Sequence, residues 1–240
     1  MKDLSILIRS YNESEFDVNR LLNSLNRQND IHLSEIVIFN DGNISETVNA
    51  INKFISNNKH LNIKFIISNK NIGSGLALRE LYKSSSRKYI IFCDMDDEYV
   101  INNGLLKCIT LLKNKKYDFV NCDDGPYKLH VMTIFNKEKI NEKLFVGFKF
   151  RDDEYMSYIY KYLNGVFYPY RFYDWIHDNN SGVHTSGHQN DTISKLWDIY
   201  SDLLNKRITK EVAILELKNI DDKNNIIYNN FLELLETNLF

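Results

Sequence analysis

Short apolar runs alternate with amphipathic stretches across residues 4–122, at the spacing of βα units, and this pattern restricts the chain to an α/β fold. Strands are expected at Leu4 to Ile8, Glu35 to Phe39, Ile63 to Ile67, Tyr89 to Cys93 and Tyr117 to Cys122. The runs are almost uninterrupted Ile, Val and Phe, which implies a mostly parallel sheet covered by helices on both faces. Between them, Val18, Leu21, Leu22 and Leu25 fall on one helical stripe, as do Leu105, Cys108, Ile109 and Leu112. Asn12 with Glu15, and Asn43 with Glu46, read as helix-capping pairs, and Asn71-Ile72-Gly73-Ser74-Gly75 leads into a third helix.

Open sheets of this kind bind ligands beyond the carboxyl ends of their strands. The polar clusters of this chain fall there: Ser10-Tyr11-Asn12-Glu13 after the first strand, Asn40-Asp41-Gly42 after the second, and Asp94-Met95-Asp96-Asp97-Glu98 after the fourth. Carboxylates packed as closely as in the last cluster repel and raise one another's pKa unless a cation sits among them. Hard oxygen ligands suit Mg²⁺ or Mn²⁺, ions that commonly keep coordination positions for phosphate oxygens. The pattern therefore points to a metal-assisted enzyme acting on a nucleoside diphosphate compound. Asp97 and Glu98 have an alternative role as caps of the next helix.

Composition narrows the field. The 240 residues are 43% hydrophobic and 13% aromatic, with only 2 prolines, which fits a packed globular chain and argues against long linkers. A net charge of −2 gives no footprint for general nucleic-acid binding. Cys93, Cys108 and Cys122 all lie in or beside apolar segments and read as buried free thiols of a reducing compartment. Met1-Lys2-Asp3 runs straight into a strand signal without a signal-peptide pattern, and no apolar run reaches membrane-spanning length, so a cytoplasmic location is expected, with peripheral membrane contact as the variant.

The ordered set Arg-Ser-Tyr-Asn-Glu after strand one, Asn40-Asp41-Gly42, Asn71-x-Gly73 and Asp94-x-Asp96-Asp97 resembles the nucleotide-sugar-binding half of family 2 glycosyltransferases, which have the GT-A fold. The resemblance is good over residues 4–100 and looser over 145–185. It implies that Asp94 and Asp96 form a D-x-D motif, with Asp96 the main metal ligand and Asp94 reaching the ribose or an ion-bound water. It implies that Asp41 recognises the nucleotide base, although an Asp-Gly turn residue bonding its own backbone fits the same position. Ser10, Tyr11, Asn12, Glu13, Asn71 and Gly73 complete the expected donor-binding set; Asn12 reads equally as a helix cap. Arg79 has the spacing of the family's phosphate-approaching arginine, with an ordinary surface arginine as the alternative.

The second half is rich in aromatics from Phe145 to Trp175, most of them core candidates, with a helix expected from about Asp152 to Leu163. Arg151-Asp152-Asp153-Glu154 occupies the place of the family's catalytic Glu-Asp pair. Asp153 is the expected base, with Asp152 and Glu154 as alternates; an acidic run also suits a helix N-terminus on dipole grounds alone. His177 matches a family histidine that completes the metal site, although the arginine of that motif is not in its place. His177, His184 and His188 fit no common zinc spacing. Trp175 is the candidate for acceptor contact. The tail from Thr192 reads as two or three amphipathic helices that either pack on the catalytic domain or form a homodimer.

The sequence thus predicts a GT-A catalytic domain over residues 1–190, divided into a nucleotide-sugar half (1–100) and an acceptor half (101–190), and a helical extension over 191–240. The expected activity is a metal-dependent, inverting transfer of a hexose or hexosamine, most simply from a UDP-sugar. The acceptor is a glycan or a lipid-linked oligosaccharide, with DNA or protein as alternatives. Two rivals remain. A sugar nucleotidyltransferase would carry a glycine-rich loop after strand one, where this chain has none. A non-catalytic nucleotide- or carbohydrate-binding relic would fit the departures at Asp152 and the missing arginine, and donor turnover would separate it from an enzyme.

Overall fold

The computed structural model describes residues 1–122, 131, 133–147, 160, 163–167, 173–174, 191–220 and 225–236. The βα alternation is present as read. It runs β1 (Leu4–Ser10), α1 (Glu15–Asn26), β2 (Glu35–Asp41), α2 (Ser45–Asn57), β3 (Ile63–Ser68), α3 (Ser74–Ser84), β4 (Tyr89–Asp94), β5 (Glu98–Tyr99), α4 (Gly104–Lys115) and β6 (Phe119–Asn121). β7 (Thr133–Asn136), β8 (Gly165–Phe167), β9 (Tyr173–Asp174), α5 (Asp191–Leu204), α6 (Lys210–Lys218) and α7 (Ile226–Leu235) follow.

A seven-stranded sheet has the order β3-β2-β1-β4-β7-β6-β8. β1 pairs parallel with β2 and β4, and β2 with β3, while β7 runs antiparallel to both β4 and β6. Both faces are covered, which is why β1 carries Leu4, Ile6, Leu7 and Ile8 with no exposed surface. One face packs Ile6, Ile8, Ile38 and Ile91 against α1, α2 and α4. The other packs Leu7, Phe39, Ile90 and Phe92 against α3 and the C-terminal helices, through Leu78, Trp197, Tyr200 and Phe231. The apolar stripes of the tail are therefore covered by the sheet itself. Among the described residues, no helix is long and apolar enough to cross a membrane.

Three local expectations change. α1 is capped by Ser14, whose side chain accepts from the Asp17 amide in a reciprocal capping box, and Asn12 lies exposed in the loop before it. α2 has no side-chain cap; Asn43 instead takes a left-handed turn at φ 55°, its amide donating to Asn40 Oδ1 at 2.9 Å. Asp97 and Glu98 do not cap α4, whose N-cap is Asn103; Glu98 lies in β5. Residue types suited to capping occur at several positions before each helix, and the pattern alone does not choose among them. Of the expected helix from Asp152, only residues 160 and 163 are described, so it cannot be traced here.

Candidate active site

The strands run one to two residues beyond their apolar cores, and this positions the site. Arg9, Ser10, Asn40, Asp41 and Asp94 are terminal strand residues held by sheet register, not loop residues. Arg9 is the partner of Asp94 across β1 and β4, and Ser10 of Asn40 across β1 and β2. Successive side chains on a strand point to opposite faces. Arg9, Asp41 and Asp94 accordingly face α3, while Ser10 and Asn40 face α1 and α2.

On the α3 side, Asp41 accepts from the amides of Ile72 (2.7 Å) and Gly73 (2.9 Å), two donors at the start of α3. Gly73 sits at φ 88°, a conformation that favours glycine, and this turn brings the two amides to one carboxylate. Neither the turn-residue reading nor the base-contact reading anticipated that bond across the crevice. Asp94 is held by Arg9, with Nε at 3.0 Å and Nη2 at 2.7 Å from the same Oδ1. Arg9 Nη1 also donates to Ser74 Oγ, the first residue of α3. Asn71 is exposed beside this turn.

On the other side, Asn40 Nδ2 donates to Ser10 Oγ (3.2 Å) and to the Tyr11 carbonyl (3.3 Å). Glu13 folds back over the end of β1, accepting from Ser10 Oγ and from the Tyr11 amide, both at 2.9 Å. The residue keeps some surface, but its carboxylate is enclosed, and burial pushes its pKa up to about 7. Asp96 has its pKa raised by burial as well. The Tyr11 ring lies against Gly42 (φ 138°), where a Cβ would stand 2.8 Å from Tyr11 Cε2. Tyr11 is 37% exposed, leaving an aromatic surface at the rim.

α1 splints the acid run. Arg20 donates to the Asp96 carbonyl and pairs with Asp17 at 2.8 Å, Ser24 Oγ accepts from the Tyr99 amide at 2.9 Å, and Arg27 pairs with Glu98 at 3.2 Å. The Met95 amide donates to the Arg9 carbonyl at 3.1 Å, tying the run to β1. β5 pairs antiparallel with β9, Glu98 opposite Asp174 and Tyr99 opposite Tyr173, so β9 runs toward the acid cluster. Among the described residues no group of three or more His, Cys, Asp or Glu side chains forms a metal cage.

The structure thus brings together Ser10, Tyr11, Glu13, Asp41, Gly73, Asp94 and Asp96. It does not support the expectation for Arg79. That guanidinium is buried against α7, donating to Asn230 Oδ1 (2.9 Å) and Glu233 Oε2 (3.0 Å). Asp152, Asp153, Glu154, Trp175 and His177 lie outside the described residues. Arg9 is the site residue that the sequence reading missed. The available signal was a cation directly after a buried apolar strand, in register with an acid at the end of another.

The sequence model described as glycosyl transferase family 2 matches residues 5–168. The chain belongs to glycosyl transferase family 2. A curated relative in Mycoplasma genitalium, the "Processive diacylglycerol beta-glycosyltransferase", is 29% identical over 117 residues, which span 49% of this chain but 34% of the relative. Among solved structures, S. aureus TarS 1-349 in complex with UDP-GlcNAc aligns with a TM-score of 0.66 at 18% identity, over 95% of this chain and 71% of that one. The mannosyltransferase PcManGT from Pyrobaculum calidifontis, in complex with GDP-Man and Mn²⁺, aligns at 0.62 and 15%, over 97% and 70%. The fold is that of the GT-A glycosyltransferases.

Proposed function

We propose that this family 2 glycosyltransferase binds a nucleoside diphosphate sugar, most simply a UDP-sugar, with a divalent ion at the Asp94-x-Asp96 run. It transfers the sugar with inversion to a hydroxyl of a glycan or lipid-linked acceptor. The carrying observation is that Asp94, the last residue of β4, and Asp96 just beyond it stand beside the carboxyl end of β1, with Arg9 linking Asp94 to the N-terminus of α3 and Asp41 at the end of β2 accepting from the amides that open that helix. The residues fit Mn²⁺ or Mg²⁺: such ions use one or two carboxylates plus substrate phosphates, so a cage of protein ligands is not required. Burial raises the pKa of Asp96, and a divalent cation bound there would favour its ionised form. The ion, when bound, supplies Lewis-acid neutralisation of the departing diphosphate.

The chain's own residues divide the remaining work. Tyr11 and Asp41 flank the base, Gly73 and the opening of α3 lie toward the diphosphate, and Asp94 toward the ribose. Asp153, or its neighbour Asp152 or Glu154, takes the proton from the attacking hydroxyl as the bond to the anomeric carbon forms. Inversion turns an α-linked donor into a β-linked product. His177 would join the ion and Trp175 would contact the acceptor. The printed ligands of the solved neighbours, UDP-GlcNAc and GDP-Man with Mn²⁺, support the donor class. The name of the Mycoplasma relative supports a lipid acceptor and a β product. We place the reaction in the cytoplasm, at the membrane surface when the acceptor is a lipid. Release of UDP from UDP-sugars, followed with and without Mn²⁺, tests the reading; metal-independent release, or none with any nucleotide sugar, would reject it.

A further inference from the structure

We propose that Arg9 is a positioning residue of the donor site, which ties Asp94 to the N-terminus of α3 and trades affinity for the bare divalent ion against affinity for the nucleotide. The inference rests on the donor-site reading above. Its observations are geometric. Two guanidinium N–H groups converge on Asp94 Oδ1, at 3.0 and 2.7 Å, and the third nitrogen donates to Ser74 Oγ. The side chain therefore spans from the end of β4 to the first turn of α3. Its own backbone is held by register with Asp94 on one side and Phe39 on the other, and by the Met95 amide on its carbonyl. Arg9 and Asp94 are 21% and 24% exposed, a setting in which a charge is felt more strongly than in bulk water.

A fixed cation among the acids has opposite effects on the two ligands. It repels a bare divalent ion by cancelling part of the negative field that would attract it. It attracts a nucleoside diphosphate, and it holds Asp94 in one orientation for the incoming ribose or metal-bound water. Arg9 thereby makes metal binding depend on the nucleotide. A role limited to holding the fold predicts no such opposition.

The test uses the full chain and two readouts independent of turnover. Free Mn²⁺ is followed by electron paramagnetic resonance in a titration with MnCl₂ alone. The affinity for UDP or GDP, whichever the wild type binds, is measured calorimetrically at saturating Mn²⁺. Arg9→Gln is expected to bind bare Mn²⁺ about three- to tenfold more tightly and the nucleotide about tenfold more weakly. Arg9→Lys keeps the charge but not the fork. It should leave bare Mn²⁺ affinity as in the wild type and lose part of the nucleotide affinity. Equal values in all three proteins, or both ligands weakened together by Arg9→Gln, would overturn the inference. Should Arg9→Gln fail to fold, Arg9→Lys decides alone: unchanged nucleotide affinity, or altered Mn²⁺ affinity, refutes the role. A wild type that binds no nucleotide with Mn²⁺ would instead remove the donor reading itself.

Discussion

Arg79 of α3 and Glu233 of α7 form an ion pair of 3.0 Å between residues 154 positions apart, locking α7 onto α3. The same α7 face holds Asn230, whose Nδ2 donates to the Val146 carbonyl at 2.8 Å, and Lys143 stands 3.6 Å from Glu233. The clamp therefore gathers α3, α7 and the segment that carries Lys143 and Val146. Arg79→Ala is expected to cost about 1–3 kcal/mol in urea unfolding. Glu233→Ala should cost less in isolation because the carboxylate is 40% exposed and solvent-screened. A double-mutant cycle reads their coupling; additive losses would mean that the pair contributes nothing beyond its separate contacts.

Asp41 has a structural duty that a base contact alone would not give it. With its acceptors removed, the Ile72 and Gly73 amides lose their partner at the start of α3. Asp41→Ala should lower the ligand-free Tm, by the equivalent of about 1–2 kcal/mol, and also weaken nucleotide binding. A variant with unchanged Tm and weak binding would assign the carboxylate to the ligand only.

Glu13 makes stability depend on pH. Its pKa rises from an ordinary 4.5 to about 7 because burial disfavours the charged carboxylate. Between those values the folded state holds a proton that the unfolded chain has released. The contribution is thus fully present below pH about 4.5 and is lost as pH rises through about 7. Tm measured without ligand should fall over that window, and Glu13→Gln should flatten the fall. A Tm profile identical in the variant would contradict the burial of this group.

Gly165 on β8 tests the packing at one edge of the sheet. A Cβ there would overlap the Phe119 ring, itself 2% exposed and packed in tilted and edge-on contact with Phe135, Tyr160 and Phe167. Gly165→Ala should destabilise by about 1–3 kcal/mol, the usual cost of overpacking. Chemical denaturation would show it, and a neutral result would mean that the edge repacks freely.

The sheet was legible because parallel strands buried on both faces read as unbroken apolar runs, and α1 and α4 because their stripes repeat at helical spacing. The place of the acid run was legible because it breaks off an apolar strand, and Asp94 does end β4. The partners of the charges were not. Arg9 meets Asp94 at a separation of 85 positions and Arg79 meets Glu233 at 154, distances over which sequence spacing carries no geometric information. The caps failed for a different reason: Asn12 and Ser14 are both capping residue types two positions apart, and the reciprocal box between Ser14 and Asp17 sets where α1 begins.

The central claim is that the β4 acids bind a nucleoside diphosphate through a divalent ion. Thermal shift with UDP and GDP, each with Mn²⁺ or with EDTA, on the wild type and Asp96→Ala, tests it most directly. The account predicts a rise in Tm with one nucleotide that requires Mn²⁺ and disappears in Asp96→Ala. An equal rise in EDTA, or one that survives in Asp96→Ala, would contradict it.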